Sequence, residues 1–280
     1  MPDWMSTFPG YQQILENCTS LFANVVRTGP VPQHVGFIMD GNRRFARINQ
    51  IEVKEGHNAG FESLARLLQV CYKCGVRSAT IFAFSIENYK RNSFEVDWLM
   101  ELAKMRFGQM IEKGDLCEEY GIKIRTLGDK SLLPRDVVEC LEEAERITAN
   151  NSKAVLNVCF SYTSRHEITT TIVNILENVK KGLIEPGDIT EDMITNNLYT
   201  GDQPPLDLLI RTSGVRRLSD FLLWQCHQEH CDIEIIDTLW PEFGTMQMCL
   251  LLLKWSFNRT YGRKKHKSKK ETKKEKEKST

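Results

Sequence analysis

Three short stretches of this chain combine residue types that together handle phosphate. They are Asp40-Gly41-Asn42-Arg43-Arg44, the run from Ser85 to Arg91 (SIENYKR), and the run from Arg211 to Ser219 (RTSGVRRLS). Guanidinium forks grip phosphate oxygens two at a time, and backbone amides and hydroxyls add further donors. Arg43, Arg44, Arg91, Arg211 and Arg217, with amides at Gly41 and Gly214 and hydroxyls at Ser85 and Ser219, make the donor set expected around a diphosphate. Five such cations are too many for the one strand-terminal carboxylate, Asp40. A single Asp in that company suits Mg²⁺, which takes one or two carboxylates and fills its octahedron with phosphate oxygens and water. Any one of these arginines alone reads as surface charge or half of an ion pair; five of them following strand ends do not.

Each stretch follows an apolar run that reads as a buried strand: HVGFIMD (34–40), SATIFAFS (78–85) and LDLLIRTSG (206–214). IKIRTLGD (122–129), AVLNVCFSY (154–162) and DIEIIDTLW (232–240) read the same way. Between them lie helical patterns. One runs from about His57 to Cys74, with Leu64, Leu67, Leu68 and Cys71 on one face and Gly75 at its stop. Another runs from Phe94 to Lys113 with Trp98, Leu99, Leu102, Met105, Phe107 and Met110, and two more lie near 136–148 and 165–181. The alternation predicts an α/β fold, a mainly parallel sheet of about six strands covered by helices on both faces. Ligands of such sheets bind beyond the carboxyl ends of the strands, where the three stretches fall. The helix at 94–113 is apolar over more than one face, and Phe61, Leu64, Leu67 and Leu68 form a second apolar surface. Core packing accounts for either surface alone. A ligand with a diphosphate head and a long hydrocarbon tail accounts for both together.

With 280 residues, 41% of them apolar and 26% charged, the chain can bury a full core. Residues 11–27 place Tyr11, Ile14, Leu15, Cys18, Leu21, Phe22, Val25 and Val26 at helical spacing before Gly29-Pro30. That amphipathic helix is expected to pack on the body, with a partner or a membrane interface as alternatives. Formal charge is zero overall, yet the tail from Arg263 holds ten Lys/Arg against three Glu, leaving 27 basic and 34 acidic residues before it. Such a tail is expected to be disordered or loosely helical: a solvated extension, or a contact for an anionic membrane surface. Nucleic acid ranks last, because no aromatic is interleaved with the lysines. The chain thus divides into an N-terminal helix (1–30), a catalytic domain (31–262) and a basic tail (263–280). Nine cysteines scatter through apolar segments and no signal-like leader opens the chain, so a reducing compartment without disulfides is expected. No run of about twenty apolar residues is present to span a bilayer.

HVGFIMDGNRRFA, GHNAGF, FAFSIENYKR, LLIRTSGVRRLSDFLLWQ and LWPEF stand here in a fixed order over about residues 30–245. In these the chain resembles the cis-prenyltransferases, the class of undecaprenyl and dehydrodolichyl diphosphate synthases, and resembles a eukaryotic member, with a plant source among the options. The resemblance implies a parallel sheet flanked by helices around a hydrophobic tunnel, and work as a dimer. It implies that Asp40 binds Mg²⁺ on an allylic diphosphate such as farnesyl diphosphate. Gly41, Asn42, Arg43, Arg44 and His57 would hold that diphosphate, with Phe45 beside it. Asn88 would position isopentenyl diphosphate and assist proton removal, with Ser85, Glu87, Tyr89 and Arg91 around it, while Arg211, Arg217 and Ser219 hold its head. The product would be a cis-polyprenyl diphosphate, a dolichol precursor. No DDxxD motif is present, so the metal strategy of trans-prenyltransferases is absent.

Several positions depart from the family pattern. Val215 stands where a Glu is usual after RTSG, and Val53 where an Arg is frequent, with Lys54 adjoining. A second metal carboxylate has no clear counterpart: counting forward from Trp224 reaches His230, and counting back from Leu239 reaches Asp232. Homodimeric members end in Arg-X-Gly, resembling a reach into the partner's site, and here Thr260-Tyr261-Gly262 stands instead. An accessory subunit of the Nogo-B-receptor type is therefore expected to supply that arginine and to bring the complex to the cytosolic face of the endoplasmic reticulum; without that partner the chain is expected to be cytoplasmic. Three rival readings fit less well. Zinc at Cys71/Cys74 with the CHQEHC segment (226–231) has poor ligand spacing. A phosphotransferase with Asp40 as nucleophile wants a carboxylate two residues on, where Asn42 stands. A catalytically weak or non-catalytic subunit would have no need of Asp40, Asn88 and the arginines.

Overall fold

A computed structural model describes residues 11–113, 115–228 and 231–262. In chain order the elements are α1 (Tyr11–Val26), β1 (His34–Ile38), α2 (Asn42–Ile48), α3 (Val53–Cys74), β2 (Ser78–Ser85), α4 (Ser93–Lys113), α5 (Asp115–Glu119), β3 (Ile122–Leu127), α6 (Arg135–Ile147), β4 (Ala154–Tyr162), α7 (Ser164–Lys180), α8 (Glu191–Asn197), β5 (Leu208–Arg211), α9 (Leu223–His227), β6 (Asp232–Ile235) and α10 (Thr245–Phe257). The strands form one sheet in the order β3-β4-β2-β1-β5-β6, and every pairing is parallel. β1, all five residues buried, lies at the centre between β2 and β5. From it the chain first builds outward on one side and then crosses to the other, which makes the end of β1 the switch point where the flanking connections diverge and leave a crevice.

Alternate residues of β1 enter different apolar layers, as the period of a strand requires. Phe37 joins the larger one, packed with Leu67 and Leu68 of α3, Leu141 of α6 and Leu252 of α10. Ile38 joins the smaller one, with Cys159, Tyr162, Leu209, Phe221 and Leu222. α1 packs on α3 and α10 and buries Ala23 and Val26 there. The first ten residues and the tail from 263 lie outside the described residues.

Some boundaries differ from expectation. β1 ends at Ile38, leaving Met39 and Asp40 beyond the paired ladder. α3 starts at Val53, so His57 sits inside the helix; Gly75 closes it in a left-handed conformation (φ 99°), its amide returned to Cys71 and Tyr72. α2 was not foreseen, because GNRRFA has no apolar periodicity. Gly41 adopts φ 117°, unfavourable for any residue with a Cβ, and turns the chain directly from strand to helix. α4 is apolar on several sides, as expected, but not all of it faces inward: Phe94 and Met105 are exposed.

Candidate active site

Asp40 is fixed by its main chain before its side chain does anything. Its amide donates to Thr212 Oγ1 (3.1 Å), Thr212 Oγ1 donates to its carbonyl (2.6 Å), and the Trp240 amide donates to the same carbonyl (3.0 Å). Because Ile38 of β1 is in register with Arg211 of β5, the ends of both strands arrive together. Arg211 Nη2 donates to Asp40 Oδ2 at 2.7 Å, and Arg44 Nη2 lies 3.8 Å from the same oxygen. The Arg211 side chain is 3% exposed, whereas that of Asp40 is 32% exposed and opens to the cavity described below. Asp40 Oδ1 takes no hydrogen bond among the described residues.

Arg211 Nη1 reaches the other way, donating to the Arg217 carbonyl (2.5 Å) and to Ser219 Oγ (2.9 Å); Arg217 Nε also donates to Ser219 Oγ (3.1 Å). On the opposite wall a residue that sequence reasoning missed, Glu95, pairs with Arg91 at 2.9 Å and with Arg43 at 3.8 Å. No helical spacing announced it, because Arg91 has an extended backbone before α4 begins at Ser93. Four of the five arginines are therefore shared between two carboxylates, Asp40 and Glu95, and the fifth, Arg217, binds Ser219 instead.

Ser85 and Asn88 cap each other across the short 3₁₀ turn Ile86–Lys90: the Glu87 amide donates to Ser85 Oγ (3.2 Å) and the Ser85 amide to Asn88 Oδ1 (3.1 Å). The Asn88 carboxamide is thereby oriented, and its NH₂ takes no partner among the described residues. His57 lies against Trp98, ring centroids 5.6 Å apart, and its Nε2 is buried without a hydrogen-bond partner. Burial first, and then the Arg91 and Arg43 cations against partial opposition from Glu95, hold its pKa down to about 4, so the ring is neutral at neutral pH.

These groups border one cavity of about 830 Å³. Asp40, Asn42, Arg43, His57, Ser85, Glu87, Asn88, Arg91, Arg211, Arg217 and Ser219 line its polar part. Phe61, Leu64 and Leu68 of α3, Leu99, Leu102 and Phe107 of α4, and Leu156, Val158 and Phe160 of β4 line its apolar part. Gly41, Arg44, Phe45 and Tyr89 are not lining residues. Arg44 stays near through Asp40, and Tyr89 turns its hydroxyl to Ser161 and the Leu132 carbonyl. The Gly214 amide corrects another expectation: it donates to the Ile236 carbonyl (2.9 Å) and is spent inside the fold.

The residues fit a divalent cation of the oxygen-seeking kind. Among the described residues no cluster of three or more His, Cys, Asp or Glu is placed to hold a metal. A cation here would have one carboxylate, Asp40, and would complete its shell with substrate oxygens and water. Asp232 is not available for it. That residue opens β6, at the end of the strand remote from the site, and pairs with Arg259 at 3.4 Å. His230 lies outside the described residues. Cys71 and Cys74 are buried in α3, and burial raises both thiols.

Residues 38–262 match the undecaprenyl diphosphate synthase family model, Prenyltransf. The chain is 49% identical over 252 residues to a dehydrodolichyl diphosphate synthase complex subunit of Schizosaccharomyces pombe, covering 90% of this chain and 95% of that one. It is 45% identical over 236 residues to the human dehydrodolichyl diphosphate synthase complex subunit, covering 84% and 70%. Among solved structures, lavandulyl diphosphate synthase from Lavandula x intermedia, in complex with dimethylallyl diphosphate, superposes with a TM-score of 0.76 at 29% identity, covering 81% of this chain and 95% of that one. With a family model matched over most of its length, a close superposition, a polar cleft at its switch point and an apolar pocket behind it, the chain belongs to the undecaprenyl diphosphate synthase family and is a cis-prenyltransferase.

Proposed function

We propose that this enzyme condenses isopentenyl diphosphate onto an allylic diphosphate such as farnesyl diphosphate, building a cis-polyprenyl diphosphate used as a dolichol precursor. The observation that carries the reading is the continuity of the cavity: guanidinium groups and Asp40 at one end, α3, α4 and β4 hydrocarbon at the other. A diphosphate with a growing isoprenoid tail has the same division. Arg43 and the neutral His57 face the allylic diphosphate, whose oxygens give the buried, unpartnered Nε2 an acceptor when that nitrogen carries the ring proton. Arg211, Arg217 and Ser219 hold the second diphosphate, and the NH₂ of Asn88 orients it. The guanidinium groups stabilise the charge that accumulates on the departing diphosphate as the allylic carbon loses it. Mg²⁺ held by Asp40 would supply further Lewis-acid stabilisation of the same charge. The apolar wall takes up the lengthening chain and keeps water from the allylic cation.

The enzyme works with an accessory subunit of the Nogo-B-receptor type. The named relatives are complex subunits, and the nearest C-terminal arginine, Arg259, is tied to Asp232 and lies over the Trp255 ring. α10 also exposes Met246, Leu250, Leu253 and Phe257 in one stripe next to the edge strand β6, whose Ile233 and Ile235 are exposed too. Lys254 ties the two elements together through Glu234 (2.8 Å). Such an edge with an apolar flank suits a second chain. No described helix is long and apolar enough to cross a membrane. Attachment to the endoplasmic reticulum is assigned to the accessory subunit, with 31–262 as the catalytic unit and the basic sequence from 263 as a candidate contact for an anionic surface.

The test is to incubate the protein, alone and co-purified with such a subunit, with farnesyl diphosphate, labelled isopentenyl diphosphate and Mg²⁺, and to size the products. Cis-polyprenyl products formed far faster by the complex are expected. Full activity of the isolated chain would overturn the partner assignment, and no elongation in either form would overturn the reaction.

A further inference from the structure

We propose that Arg165, the second residue of α7, is a positioning residue that straps together the two loops forming the isopentenyl diphosphate cradle. The inference rests on the prenyl-transfer function above. Arg165 lies outside the three phosphate-handling stretches and does not line the cavity, but both of its partners do. Its amide donates to Asp220 Oδ1 (3.1 Å), its Nε donates to Asp220 Oδ2 (2.7 Å), and its Nη2 lies 3.5 Å from Glu87 Oε1. Asp220 follows Ser219 on the loop after β5; Glu87 precedes Asn88 on the turn after β2.

The loop after β5 needs such an anchor. Ser219 and Asp220 both have left-handed backbones, φ 53° and 62°, which residues with a Cβ rarely adopt. The start of α7 holds this turn on three sides: the Ser164 amide donates to the Asp220 carbonyl (2.7 Å), Ser164 Oγ accepts the Leu223 amide (2.7 Å), and Arg165 grips the Asp220 carboxylate. Ser219, presented by this turn, accepts from Arg211 and Arg217. Moving Asp220 therefore moves the hydroxyl that sets where both guanidinium groups point. The Glu87 arm is longer and lies between exposed side chains, so alone it is weak. Its role is geometric, fixing the gap between Ser219 and Asn88. The Arg165 side chain is 73% exposed and that of Asp220 12% exposed, so the strap can be cut at Arg165 without opening the core.

The test compares wild type with Arg165→Gln and Arg165→Lys, each as the full chain co-purified with its accessory subunit. The readouts are steady-state constants for both substrates, calorimetric affinity for isopentenyl diphosphate, and the thermal unfolding midpoint. Arg165→Gln is expected to raise KM and Kd for isopentenyl diphosphate about tenfold, as a misplaced anion site does. KM for farnesyl diphosphate and the unfolding midpoint should hardly move, and Arg165→Lys should recover part of the lost affinity. Unchanged isopentenyl diphosphate constants in Arg165→Gln, equal losses for both substrates, or losses that appear only with a lowered midpoint would overturn the strap. A wild-type complex that does not elongate at all would overturn the reaction itself.

Discussion

His57 shows how far single residues could be interpreted. Its place in GHNAGF marked it as a phosphate contact only by resemblance; what supports that proposal physically is that its Nε2 is buried and unpartnered beside Arg91 and Arg43. An unsatisfied buried donor or acceptor costs the fold about 1–3 kcal/mol, whereas a hydrogen bond from a ring N–H to a charged oxygen is worth about 1.5–3 kcal/mol. His57→Leu is accordingly expected to leave the thermal midpoint unchanged or raise it, while KM for the allylic substrate rises ten- to a hundredfold, about 1.4–2.8 kcal/mol. Acid titration supplies an independent check. A histidine whose folded pKa is about 4 against 6.5 unfolded binds its proton more readily in the unfolded chain, so it contributes full stability above pH 6.5 and loses it as pH falls towards 4. The variant should lose less stability than wild type over that interval. Asp40 and the five arginines were visible in the sequence because each follows an apolar run. Glu95 was missed because Arg91 precedes α4 in an extended conformation, so their spacing carries no helical signal. The Gly214 amide was assigned wrongly because its acceptor, Ile236, comes from the segment after another strand, a contact with no local signal.

At the scale of elements, the two glycines of GHNAGF explain how the strand-end carboxylate comes so close to the pocket. A Cβ at Gly56 would meet the Asn42 carbonyl at 2.6 Å, and one at Gly60 would collide with Asn42 Oδ1 and come 2.9 Å from Trp240 Cδ1. α2 thus rests directly on the backbone of α3, and the Gly60 carbonyl accepts the Trp240 Nε1–H at 2.7 Å. Trp240 in turn holds Asp40 through its amide. Gly60→Ala is expected to push α2 and Trp240 away, destabilising the fold by about 1–3 kcal/mol in urea titration. It should also lower turnover, since Asp40 moves with its support; unchanged stability would mean that the close approach is dispensable. Neither α2 nor this contact could be deduced from periodicity, since α2 has only seven residues and no apolar stripe. The long elements were legible for the opposite reason. α3, α4 and the buried strands repeat their apolar residues over enough turns or pairs to show a period, and only their ends shifted.

Across the whole molecule, the central strand and the change of direction around it bring residues separated by up to 171 positions, Asp40 and Arg211, into one ion pair. Alternation of strands and helices was enough to foresee the layered fold and the end of the sheet where ligands bind. The cavity behind the site was legible only as an excess of apolar residues in two helices, because its shape depends on which side chains leave a gap and not on how many there are. Polar end and apolar wall act as one device only if Asp40 is the group that turns bound diphosphate into a leaving group. The direct measurement is incorporation of labelled isopentenyl diphosphate by the co-purified complex carrying Asp40→Asn, which keeps the size of the side chain and removes its charge, under saturating substrates and Mg²⁺. Incorporation reduced at least about a hundredfold, with partner binding and unfolding midpoint retained, is the expected result; elongation at the wild-type rate would contradict the account.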